Sequence, residues 1–108
     1  MGYRLGNLEE TVLLILLLMK DEAYGVSVRD VYVDQTGHDL SLSAIHTVLR
    51  RLEKKKLIKS SLGGATQDRG GRRKRLYQVT RLGYQAAHGI QEERTRLWNM
   101  IPRFEIGY

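Results

Sequence analysis

A mainly α-helical domain carrying one small β-hairpin is predicted by three features of the 108-residue chain. Apolar residues recur at helical spacing in four separate segments, a glycine-rich basic loop is followed by a short two-residue alternation, and capping residues precede the third and fourth helical patterns. Length and an apolar content of 42% suit one domain with a modest core.

The elements follow in order. Asn7 can cap a helix whose third position, Glu10, returns the hydrogen bond, so a first helix is expected over Leu8–Lys20. Its run TVLLILLLMK is far below the ~20 apolar residues of a membrane span, and Glu9 and Glu10 stand where a secretion signal is basic. This helix is expected to be buried on most of its circumference, in a cytoplasmic protein.

After the turn DEAYGVSV, Val28, Val31 and Tyr32 mark a short acidic second helix that Gly37 ends. Ser41 caps a third helix, Leu42 to about Lys55, on which Ile45, Val48, Leu49 and Leu52 form one apolar stripe. Two short strands then flank LGGATQDRGGRRKRLYQVT, with Arg75, Tyr77 and Val79 alternating against Leu76 and Gln78. Thr80 caps a long helix from Arg81 to about Met100, ended by Pro102.

A third helix beside a hairpin is the winged helix-turn-helix order, with the hairpin as wing. Charge agrees with it. Residues 50–81 hold twelve Lys or Arg against Glu53 and Asp68, a net of +10, while the rest of the chain carries −4. Such separation suits a polyanion partner, because each phosphate neutralised releases counterions.

On the third helix Ser41, Ser43, Ala44, His46, Thr47, Arg50 and Arg51 are of the size and hydrogen-bonding type that reach base edges and phosphates. On the wing, Arg69, Arg72, Arg73, Lys74 and Arg75 suit the phosphate backbone or a minor groove. The expected partner is double-stranded DNA, and the competing reading is a winged module for a protein or structured RNA.

Other chemistry has little support. The chain lacks Cys, which removes disulfides and thiolate metal sites. His38, His46 and His88 share no ligand spacing, and the glycine loop lacks the order of a nucleotide-binding loop. No enzyme activity, metal or cofactor is expected.

The stretches EAYGVSV, LSLSAIHTVLRRLEKKKLI and RRKRLYQVTRLGYQ together resemble the PadR-type transcriptional regulators over about Leu8 to Leu97. The resemblance implies a dimeric DNA-binding repressor, with a winged unit over residues 1–80 and a dimerisation helix and tail over 81–108. Three positions depart from the family pattern. Leu42 replaces the usual Pro, His46 an aromatic residue and Lys56 the usual Gly before Leu-Ile.

In the long helix Leu82, Ala86, Ile90, Leu97 and Ile101 form a stripe too long for one small core, so a homodimer interface shared with the first helix is expected. Trp98 reads either as an anchor of that interface or as a stacking surface for a flat aromatic effector, a role that some relatives suggest.

Overall fold

The computed structural model describes residues 5–65 and 73–102. In order these form α1 (Asn7–Met19), a single 3-10 turn (Lys20–Glu22), α2 (Gly25–Thr36), α3 (Leu42–Lys54), β1 (Ile58–Ala65), β2 (Arg73–Val79) and α4 (Arg81–Met100). The mainly helical, single-hairpin class predicted above is the one observed, and the α2–α3–hairpin order is that of a winged helix-turn-helix.

Most helix ends obey the local signals. Ser41 Oγ accepts from the Ala44 N–H at 3.0 Å, and Thr80 Oγ1 accepts from the Gly83 N–H at 3.0 Å. The first cap is corrected by one residue. Gly6 is the N-cap of α1, and its N–H donates to Glu9 at 3.1 Å, so Asn7 is already helical and Glu9 takes the role assigned to Glu10. Glu9 keeps its second oxygen, and Glu10 its whole carboxylate, for other elements, as described below.

The C-terminus of α3 explains one departure from the family pattern. Lys56 N–H donates to the Glu53 carbonyl and Leu57 N–H to the Leu52 carbonyl, a Schellman arrangement that needs a left-handed residue at Lys56, where φ is 64°. A glycine would hold this conformation without the ~1–2 kcal/mol that a Cβ costs. Lys56 is accepted there, with Lys55 and Thr80 fixing the turn on either side.

The core lies where α1, α2 and α3 meet the inner face of the hairpin. Ile45, Val48, Leu49 and Leu52 are all buried, so the whole predicted stripe of α3 is used. Each such side chain removed from water contributes about 1.5–3 kcal/mol. Val12, Leu13, Ile15 and Leu16 of α1 pack against it, yet Leu14 and Leu18 are 52% and 66% exposed. The expectation of burial around most of α1 thus holds for one side only.

The hairpin pairs antiparallel with Ile58 opposite Val79, Ser60 opposite Tyr77 and Leu62 opposite Arg75. Tyr77 N–H also donates to the Ala23 carbonyl at 2.8 Å, so Ala23, two residues before α2, adds a one-bridge third strand and ties the wing's base to the helical layer.

Helix α4 leaves this body. Gly83, Ala86 and Ala87 are buried, whereas every residue from Gln91 to Pro102 is exposed. The radius of gyration is 16.6 Å, against the ~13 Å of a compact chain of this length.

Candidate nucleic-acid interface

Opposite the buried stripe of α3, Ser43, Thr47, Arg50 and Lys54 repeat at intervals of three and four residues and form the outward line of the helix. Thr47 Oγ1 donates to the Ser43 carbonyl at 3.1 Å, which leaves its oxygen lone pairs facing out. Ser41 is occupied as the helix cap, so its hydroxyl serves the fold first.

The remaining sequence-predicted residues of α3 divide between two flanks. His46 and Arg50 turn toward the hairpin and line a cleft with Glu53, Arg75 and Tyr77. Ala44 and Arg51 lie on the other flank, and Arg51 is near the first turn of α1. There burial pushes the Glu9 carboxyl up, but the Lys55 ammonium at 2.8 Å, the Gly6 N–H and the nearby Arg51 charge together hold it below its ordinary value. The Glu9–Lys55 pair therefore clamps the C-terminal end of α3 to α1.

The adjacent acid, Glu10, pairs with Arg94 of α4. Two consecutive carboxylates on α1 thus grip α3 and the projecting helix α4, a consequence of the corrected cap that local sequence reasoning did not foresee.

His46 is set by a glycine. A Cβ on Gly25 would lie 2.7 Å from His46 Cε1, so the start of α2 approaches the imidazole closely only because residue 25 lacks a side chain. The residue before it, Tyr24, carries the Lys74 ammonium 4.3 Å above its ring. The motif EAYG is therefore more than a turn, since consecutive residues of it hold the wing through Ala23 and Tyr24 and the α3 flank through Gly25.

Of the predicted wing cations, Lys74 and Arg75 are placed on β2, Lys74 over Tyr24 and Arg75 beside α3, while Arg69, Arg72 and the side chain of Arg73 lie outside the described residues. Burial pushes the Tyr77 hydroxyl above its ordinary value, partly offset by Arg75. It is a neutral floor to the cleft.

Ile90 is half-buried against α1, but Leu97, Trp98 and Ile101 are 57%, 74% and 48% exposed. The stripe of α4 that Gly83, Ala86, Ala87 and Ile90 press on the domain is continued by Arg94, which pairs with Glu10, and by the exposed Leu97 and Ile101. Among the described residues no three His, Asp or Glu could hold a metal ion, and no helix is long and apolar enough to cross a membrane.

Comparison with known proteins bears on this arrangement. The model of the transcriptional regulator PadR-like family matches residues 13–89. A PadR family transcription regulator from Clostridium difficile R20291 superposes with a TM-score of 0.68 at 24% identity, covering 87% of this chain and 93% of that one. A PadR-like regulator from Bacillus cereus gives 0.69 at 21% identity, over 85% and 84% of the two chains. A PadR family regulator from Eggerthella lenta gives 0.67 at 21% identity, over 82% and 75%. At these identities the structural likeness speaks for the fold. No curated protein matches the sequence.

Proposed function

Because the chain belongs to the PadR-like family of transcriptional regulators, we propose that it is a homodimeric repressor that reads an inverted-repeat operator in cytoplasmic DNA. Residues 1–80 serve as the reading unit and 81–108 as the dimerisation helix and tail. The observation that supports the reading is the cleft in which Arg75 of β2 stands beside His46 and Arg50 of α3, against an overall net charge of +6. Ser43, Ala44, His46 and Thr47 reach base edges, Arg50 and Arg51 the flanking phosphates, and the wing cations Arg69, Arg72, Arg73, Lys74 and Arg75 the adjoining backbone.

Selection of bound duplexes from a random pool tests this directly. An inverted repeat is expected, and enrichment of single-stranded or structured RNA instead would overturn it. With the selected operator, Thr47→Ala is expected to change discrimination by about 1–3 kcal/mol at one base pair per half-site while random-duplex affinity stays nearly constant. Equal losses on both duplexes would move sequence reading away from Thr47.

The dimer is proposed to bury the uncovered stripe of α4 with Leu14 and Leu18 of α1. Trp98, at 74% exposure, then stands near its symmetry mate and stacks a flat aromatic effector whose binding tilts the two wings. Planar aromatic compounds are expected to quench Trp98 fluorescence and weaken operator binding in parallel. Quenching by none of a broad panel, with a dimer that dissociates in Trp98→Ala, would leave Trp98 as an interface anchor alone.

A further inference from the structure

Glu53 is an acid on a face built for a polyanion. Within residues 50–81 only Asp68 shares its sign, against twelve cations, and a carboxylate there repels phosphate unless it is otherwise engaged. The structure shows the engagement. Ser60 Oγ–H donates to Glu53 Oε2 at 2.7 Å, and Arg75 Nη1 donates to Ser60 Oγ at 2.9 Å. Three elements are linked in this way: the C-terminal end of α3, β1 and β2.

The register makes the link possible. Ser60 faces Tyr77 and Leu62 faces Arg75, so Ser60 and Arg75 are diagonal neighbours on the hairpin face turned to α3. Arg75 has a long, exposed side chain with many rotamers, and ordering such a chain on phosphate costs binding free energy. A guanidinium already hydrogen-bonded through Ser60 to a carboxylate loses less of that freedom, and its other N–H groups remain for the ligand. Arg50 lines the same cleft from the helix.

We propose that Glu53 and Ser60 are positioning residues that hold Arg75 beside Arg50, so that the two guanidinium groups clamp one backbone phosphate of duplex DNA between the reading helix and the base of the wing. The proposal rests on duplex binding by this face. Glu53 touches no phosphate, and acts through Ser60.

The test is a double-mutant cycle read by duplex affinity as a function of salt. Arg75→Ala is expected to lower the log–log salt slope by about 0.9. Ser60→Ala and Glu53→Ala are each expected to weaken binding about threefold to tenfold, the scale of one hydrogen bond, and to have no further effect in the Arg75→Ala background. Ser60→Thr, which keeps the hydroxyl, is expected to retain affinity. Circular dichroism of each variant monitors folding, and the Thr variant separates loss of the hydroxyl from a damaged strand.

Tighter binding by Glu53→Ala would show plain charge repulsion and overturn the proposal. So would additive losses of Ser60→Ala and Arg75→Ala, or an Arg75→Ala slope equal to that of the parent. A parent protein that binds no duplex would overturn the underlying reading of the face, whereas a parent that binds with an additive cycle overturns the relay alone.

Discussion

Gly83→Ala is expected to destabilise the protein by at least about 3 kcal/mol, the upper range of overpacking substitutions, and to leave little folded material at 37 °C. The expectation reverses the usual sign, since Gly→Ala inside a helix ordinarily gains ~1 kcal/mol. Here the new Cβ would lie 2.0 Å from the Leu57 carbonyl oxygen, 2.9 Å from its carbonyl carbon and 2.7 Å from Val79 Cγ1. The first two are backbone atoms and cannot rotate away.

That backbone is also pinned. Thr80 N–H donates to the same Leu57 oxygen at 3.0 Å, and Thr80 Oγ1–H donates to the Lys56 carbonyl at 2.8 Å. Any shift that admits a methyl group breaks the junction between the hairpin and α4. Gly89, six residues further along the same helix, is the control: a Cβ there meets nothing within 4 Å. Gly89→Ala is expected to raise stability by about 0.5–1 kcal/mol. Urea denaturation followed by circular dichroism compares the two, and similar effects from both would refute the steric argument.

Replacing Arg72, Arg73 and Lys74 together by Ala is expected to give the largest loss of DNA affinity of any set of three on the chain. If all three neutralise phosphate, the log–log salt slope falls by up to about 2.7, which separates parent and variant most strongly at low salt. The three are not expected to contribute equally. The Lys74 ammonium already sits 4.3 Å above the Tyr24 ring, an interaction of about 0.5–1 kcal/mol at an exposed site. Lys74→Ala alone is therefore expected to reduce the slope by less than 0.9, and Tyr24→Leu to bring its contribution closer to that of a free lysine. An unchanged slope in the triple variant would remove the wing tip from the interface.

Local physics placed most of the elements without help from the fold. Ser41 and Thr80 announce α3 and α4 because a side-chain oxygen satisfies an orphan N–H three residues on, and both bonds are present. The stripe of α3 is legible because only one face of that helix is apolar, so period and burial coincide. Pro102 ends α4 by chemistry alone, with Ile101 in the extended conformation that a following proline imposes. The opposite charges of residues 50–81 and the remainder also require only counting.

What the sequence could not disclose depends on atoms brought together from distant positions. Asn7 and Gly6 offer competing caps for α1, and the choice of Gly6 aims Glu9 at Lys55, 46 residues away, and Glu10 at Arg94, 84 residues away. Gly25 and Gly83 look like ordinary helix glycines until His46 and the Leu57 carbonyl arrive against them. Glu53 reads as one more charge on a solvated helix, because its partners Ser60 and Arg75 come from two strands whose register no local pattern specifies. Propensity, capping and periodicity act within a turn or two of chain, so they determine which elements form. The close approaches and the polar links between elements are properties of packing, and only the tertiary structure decides them.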